Sequence, residues 1–150
     1  MKRDPRLRAL SSDHHHALVL AKRVADACRR GQVDAALREQ VQASFRDELE
    51  PHFAAEEEHL LPALRAAGEA ALVARTEADH AALRGAAAAL EVEAELCRFG
   101  ELLYQHARFE ERELFEVCQR VLPAAVLDRL ASDCAGVGGV CAQPEAKGKG

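Results

Sequence analysis

The sequence predicts an all-α fold, an antiparallel up-and-down four-helix bundle to which a short C-terminal helix can be added. Three observations predict it. Ala and Leu dominate the 150 residues, aromatics are only 4 % and β-branched residues are sparse, a composition that favours helices over sheets. Apolar residues recur three and four positions apart, the period of one helix face. Gly31, Gly68 and Pro123 cut that pattern into segments of bundle length with short connections. No strand pattern competes, and the length suits one domain, residues 1–133, that buries its own core.

The first helix is expected to start at the capping cluster Ser11-Ser12-Asp13 and to run to Arg30, with Gly31 as its stop. Leu10, His14, Leu18, Ala21, Ala25 and Cys28 mark its inner face. The second begins near Val33 or Asp34 and ends near Ala67 before Gly68. It contains Pro51 and Pro62, each of which removes a backbone donor and should bend it. The third starts near Glu69 and carries Leu72, Val73, Thr76, His80, Leu83, Ala87 and Leu90 inward. A turn near residues 91–94 would make the third and fourth helices similar in length. The fourth ends at Leu122 before Pro123, and Ala124 to Ser132 has the length of a short fifth helix. Residues 134–150, rich in Gly and Lys without apolar periodicity, read as a flexible tail.

Composition also excludes functions. A formal net charge of −5 argues against a general nucleic-acid or anionic-membrane binder, and no apolar run approaches a membrane span. The start lacks an apolar signal core, so a cytoplasmic location is expected. The five cysteines form no C-x-x-C pair. Cys28, Cys97 and Cys118 read as small core residues, while Cys134 and Cys141 flank a Gly-rich stretch where an oxidised pair is a minor option.

The chemistry lies in a segment that occurs twice: His52-Phe-Ala-Ala-Glu56-Glu-Glu-His-Leu-Leu and His106-Ala-Arg-Phe-Glu110-Glu-Arg-Glu-Leu-Phe. Residues four apart share a helix face, so each copy offers an imidazole and a carboxylate side by side on the apolar stripe. Burying such groups is costly without partners, and metal ions are the partners they suit. The expected helices place His14, near the start of the first, and His80, in the third, at the same level as His52 and His106. His15 is the runner-up to His14. The expected metal ligands are therefore His14, His52, Glu56, His80, His106 and Glu110. Six ligands exceed a tetrahedral zinc site, and calcium and magnesium prefer oxygen alone. Mixed imidazole and carboxylate ligands suit iron, manganese or zinc, and two opposed carboxylates can bridge two ions. A dinuclear centre with iron as first choice follows. Glu57, Glu58, Glu111 and Arg112 read as solvated surface. His59 reads as a partner of Glu113 that supports the ligands, with direct ligation or a solvated role as alternatives, and Tyr104 and the five Phe residues are expected to serve as packing.

These residues resemble the hemerythrin-like (HHE) cation-binding family. The resemblance rests on Asp13-His14, on His52-Phe-x-x-Glu56-Glu57 with Leu60-Leu61-Pro62, on His80 before Leu83-Arg84, and on His106-x-x-Phe-Glu110-Glu111 with Leu114-Phe115. It spans residues 10 to about 122. It implies a four-helix bundle with an oxo- or hydroxo-bridged di-iron centre, and a role in binding or sensing dioxygen, nitric oxide or iron, or in repair of nitrosative or oxidative damage. Two departures count against reversible dioxygen carriage. The carriers have a His-x-x-x-His pair on the third helix, whereas Thr76 and Arg84 flank His80 here. They also place an Asp five residues after the fourth-helix His, where this chain has Glu110 four after His106. The expected function is binding or sensing of a small diatomic ligand through a di-iron centre. The alternative is a di-iron oxidoreductase acting on peroxide or nitric oxide.

Overall fold

The computed structural model describes residues 2–136, with side chains to residue 132, and these residues form an all-helical bundle. A 3-10 turn, Pro5–Leu7, leads into α1, Arg8–Arg30. Helix α2 spans residues 35–66 as Ala35–Ser44, Glu50–Ala55 and Leu61–Ala66, joined by the π-helical turns Phe45–Leu49 and Glu56–Leu60. Helix α3 is Ala70–Ala87. Helix α4 spans residues 93–121 as Glu93–Phe109, the π turn Glu110–Leu114, and Phe115–Val121. Helix α5 is Ala124–Gly136, so the short fifth helix is present. Among the described residues no helix is long and apolar enough to cross a membrane. The expected tail and the Cys134–Cys141 option lie outside the described residues, apart from the backbone of 134–136.

Helix α1 begins earlier than the capping cluster predicts. Asp4 accepts the Arg6 backbone N–H at 2.8 Å and Pro5 pre-sets the first turn, so the chain is already helical at Arg8. Asp13 and Ser11 sit inside the helix, and both side chains are bonded across to other helices. The inner face is rotated slightly from the expected one: Ala17 and Val24 are buried, whereas Ala25 is exposed and Leu18 half-buried. Gly31 stops α1 with φ +65°, a conformation that costs Gly nothing, and its N–H and that of Gln32 close on the carbonyls of Cys28 and Ala27.

Pro51 and Pro62 do not break α2. Each follows a π turn, in which the N–H of Glu50 reaches the Phe45 carbonyl and that of Leu61 reaches the Glu56 carbonyl. The wider turn accommodates the missing proline donors, and π turns of this kind concentrate at functional sites. Glu56 and Glu110 each open one. Beyond them the consecutive pairs Leu60-Leu61 and Leu114-Phe115 all face the core.

The core is divided in two. One apolar cluster gathers Leu10 of α1, Leu60 and Leu64 of α2, Val73 of α3, Leu114 and Phe115 of α4, and Leu127 and Leu130 of α5. The other gathers Ala17 and Val24, Leu49 and Phe53, Leu83 and Ala86, and Leu96, Phe99 and Leu103. Helices α1 and α3 pass from the first cluster to the second along their sequence, while α2 and α4 pass back. Between the clusters lies one polar layer, to which each of the four long helices contributes.

At the second cluster α1 and α4 are held closely. Gly100 faces Val24, and a Cβ added there would stand 2.7 Å from Val24 Cγ1 and 3.0 Å from its Cβ. Val24 is β-branched and has little freedom to yield. Gly100→Ala is expected to cost about 1–3 kcal/mol, readable as a lower denaturant midpoint at unchanged slope. The same pair of helices carries a correction: Cys28 and Cys97 are not free core thiols but form a disulfide, Cα–Cα 6.1 Å, from the end of α1 to the start of α4. Cys118 is the buried free thiol among the described residues, and burial pushes its pKa up. Closing a loop of 69 residues' separation removes unfolded-chain entropy, so reduction should cost about 4 kcal/mol, seen as a lower melting temperature in reductant. A Cys28→Ser, Cys97→Ser double variant with unchanged melting would refute this. Tyr104, expected to pack, is 45 % exposed on α4.

Candidate metal centre

All six expected ligands meet in the polar layer. His14, His52, Glu56, His80, His106 and Glu110 are each at most 4 % exposed, whereas His15 and His16 face solvent. His14 is therefore the inward residue of the triplet. The four imidazoles turn Nε2 inward: His14 to Glu110 Oε1 at 2.6 Å, His52 to Glu56 Oε2 at 2.9 Å, His80 to Glu56 Oε1 at 3.1 Å, and His106 to Glu110 Oε2 at 3.0 Å. Each carboxylate thus spans two imidazoles with its two oxygens.

Two four-residue clusters result, each with its ligand atoms within 4.8 Å of one another: His14, His52, Glu56 and Glu110, and His80, His106, Glu56 and Glu110. Both glutamates belong to both. Four buried atoms here, His52 Nε2, Glu56 Oε2, His106 Nε2 and Glu110 Oε2, make no hydrogen bond. The 2.9 and 3.0 Å approaches between them bring the atoms near without hydrogen-bond geometry. Leaving buried polar atoms unsatisfied costs about 1–3 kcal/mol each, and a cation between them removes that cost. The donor set fits a borderline transition metal better than an alkaline-earth ion, because two of the four residues in each cluster are imidazoles.

The outer nitrogens were not legible as a set in the sequence. His52 Nδ1 meets Asp13 Oδ2 at 2.9 Å, His80 Nδ1 meets Glu57 Oε2 at 2.7 Å, His106 Nδ1 meets Asp79 Oδ2 at 2.9 Å, and His14 Nδ1 meets Glu111 Oε2 at 2.7 Å. The bonds form a closed ring: α1 supports the imidazole of α2, α2 that of α3, α3 that of α4, and α4 that of α1. A carboxylate on the far nitrogen fixes the ring's orientation and raises its basicity as a ligand. Glu57 and Glu111 are therefore not simply solvated surface, as their position beside charged neighbours suggests. The available signal is local: Asp precedes His14 and His80, and Glu follows Glu56 and Glu110. Neighbouring residues diverge by about 100° on a helix, so the adjacent acid reaches the next helix instead of the same site. The supporting role expected of His59 and Glu113 falls to this ring; His59 Nε2 lies 3.9 Å from Glu58, and Glu113 is exposed.

Two aromatic rings wall the imidazoles. Phe53 stacks on His80 at 4.2 Å between centroids, and Phe115 stacks on His14 at 5.0 Å. Phe53 and Phe115 thus pack as expected, against the site itself.

Without a metal, three imidazoles of the layer are pushed toward the protonated form. Burial disfavours a charged His106, but the Glu110 carboxylate and the Asp79 hydrogen bond outweigh it and lift the imidazole to about 10. His52 is likewise raised well above its ordinary value against burial, chiefly by Glu56, and His14 is raised by Glu110 and Glu111. Glu110 shows the converse: burial opposes its charge, yet His106, His14 and His52 hold it well below the usual carboxylate range. A cation placed among these groups substitutes for their protons.

No curated protein and no solved structure matches this chain. The model of the hemerythrin HHE cation binding domain matches residues 6–118, from the first turn to the end of α4's ligand segment, and the chain belongs to that family.

Proposed function

We propose that this protein holds a carboxylate-bridged di-iron centre and uses it to bind or sense a small ligand, dioxygen, nitric oxide or iron status. The carrying observation is that Glu56 and Glu110 belong to both four-residue clusters. Each ion then has two imidazoles and two shared carboxylates, fewer donors than a six-coordinate iron accepts, which leaves room for an exogenous ligand. Iron supplies the redox chemistry and the affinity for diatomic ligands; manganese or zinc would fit the same donors. The chain's own contribution is to orient four imidazoles through the outer carboxylate ring and to bury them between two apolar clusters. In this reading the rods α1–α4 form an antiparallel up-and-down four-helix bundle.

A cytoplasmic location is part of the proposal, and Cys28–Cys97 sets a condition on it. In a glutathione-buffered compartment the pair is expected to stand reduced. Metal analysis with absorption spectroscopy tests the whole reading. Two irons per chain are expected, with near-ultraviolet absorption that changes on reduction and on return to air. Less than one transition metal per chain after anaerobic iron loading would overturn it. Catalysed loss of peroxide or nitric oxide over many turnovers would replace binding or sensing with the oxidoreductase alternative.

A further inference from the structure

The two metal positions have equal donor sets but unequal supports. One is carried by His14 and His52, the other by His80 and His106, and both share Glu56 and Glu110. At the second position both outer carboxylates are anchored by arginine. Arg84 donates to Glu57 at 2.8 and 3.2 Å and is itself gripped by Glu50 at 2.7 and 2.8 Å. Arg75 Nε bridges both oxygens of Asp79 at 3.0 and 3.1 Å, and its guanidinium lies 4.2 Å from the centre of the Phe109 ring.

At the first position only one arm is anchored. Glu111 accepts from Arg3 at 3.2 Å and from the Ser11 hydroxyl at 2.8 Å. Asp13, behind His52, is hydrogen-bonded to that imidazole alone, with no arginine on it among the described residues. The first position also borders a small cavity more fully than the second does. A cavity of about 10 Å³, the space of one water, is bounded by Asp13, His14, His52 and His106 between Ala17 and Leu103. It touches both imidazoles of the first position and one of the second.

Exposed ion pairs add little to folding stability, but a guanidinium on a carboxylate restricts how far that carboxylate and its imidazole can swing. Release of a chelated ion requires one ligand after another to swing away, so the restriction acts on the exit rate. We propose that the ion held by His14 and His52 is the exchangeable one of the pair and that the ion held by His80 and His106 is resident, with Arg75 and Arg84 as positioning residues for the latter. The proposal rests on the dinuclear reading above.

The test is chelator challenge of the full chain loaded with cobalt(II), followed by cobalt absorption after the bound equivalents have been counted. Two phases of equal amplitude are expected, separated by about tenfold or more, the scale on which outer-shell partners act. Arg75→Gln and Arg84→Gln, both near the surface, should speed the slow phase several-fold and leave the fast one unchanged. His14→Ala protein should retain one ion that leaves slowly, and His80→Ala protein one that leaves fast. Two bound ions released in a single phase, a slow phase indifferent to both arginine variants, or the reverse assignment would overturn the inference while leaving the dinuclear reading intact. Fewer than two bound ions would instead remove the dinuclear reading, and the inference with it.

Discussion

Glu56→Ala and Glu110→Ala are each expected to abolish binding of both metal ions, whereas His14→Ala should abolish binding of one. The contrast follows from membership. Each glutamate supplies an oxygen to both clusters, so its loss takes one of four donors from each ion at once. His14 belongs to one cluster only. Losing an outer-shell partner weakens metal affinity by about 10–100-fold, and losing a donor shared by two ions should exceed that for each. Glu110→Ala also removes the carboxylate that does most to raise His14 and His106, while His52 keeps Glu56 and Asp13. Glu113→Ala, three residues further along the same π turn but exposed, should change neither stoichiometry nor spectrum. Metal content per chain checks all four variants, with circular dichroism to confirm that each is helical. A Glu110→Ala protein that still binds two ions would refute the bridging role.

How much of this was legible in the sequence depends on the range of the interaction. The ligands announced themselves because His-x-x-x-Glu is a within-helix relation, fixed by the 3.6-residue period and repeated in two segments. The level of His14 and His80 followed from helix direction, since a polar residue between Leu10 and Ala17, or between Val73 and Leu83, has to fall where the two apolar clusters part. The outer ring was missed because every bond in it crosses from one helix to the next. Asp13 read as a cap on local grounds, and Asp4 with Pro5 took the capping role two turns earlier. Glu57 and Glu111 read as solvated because they stand beside charged neighbours; their partners, Arg84 and Arg3, are far away in sequence. The disulfide has the same origin. Cys28 and Cys97 carry no spacing signal and meet only because the end of α1 lies against the start of α4.

The metal-free chain is expected to lose stability as pH rises from about 6.5 to 8.5, while its metal affinity rises over the same interval. The sign follows from the imidazoles. His106 is raised to about 10, and His14 and His52 are raised as well. A group with a raised folded pKa binds its proton more tightly in the folded state. Its contribution is complete below the unfolded value near 6.5 and is lost as pH climbs through the folded value. Cys118, whose thiol is also raised, acts in the same direction but only near and above its ordinary value of 9.0, so a comparison ending at pH 8.5 isolates the histidines. The metal reverses the dependence because it competes for the same nitrogens. Each imidazole proton that must leave makes binding weaker in acid, and loading should release protons into a weak buffer. The bound ions stabilise the fold by mass action, about 4 kcal/mol for each site held at a thousandfold excess over its dissociation constant. Melting temperatures of the metal-free and cobalt-loaded protein at pH 6.5, 7.5 and 8.5 should therefore diverge as pH rises. Parallel curves, or a metal-free form that melts higher at pH 8.5 than at 6.5, would show that His14, His52 and His106 are neutral without the metal.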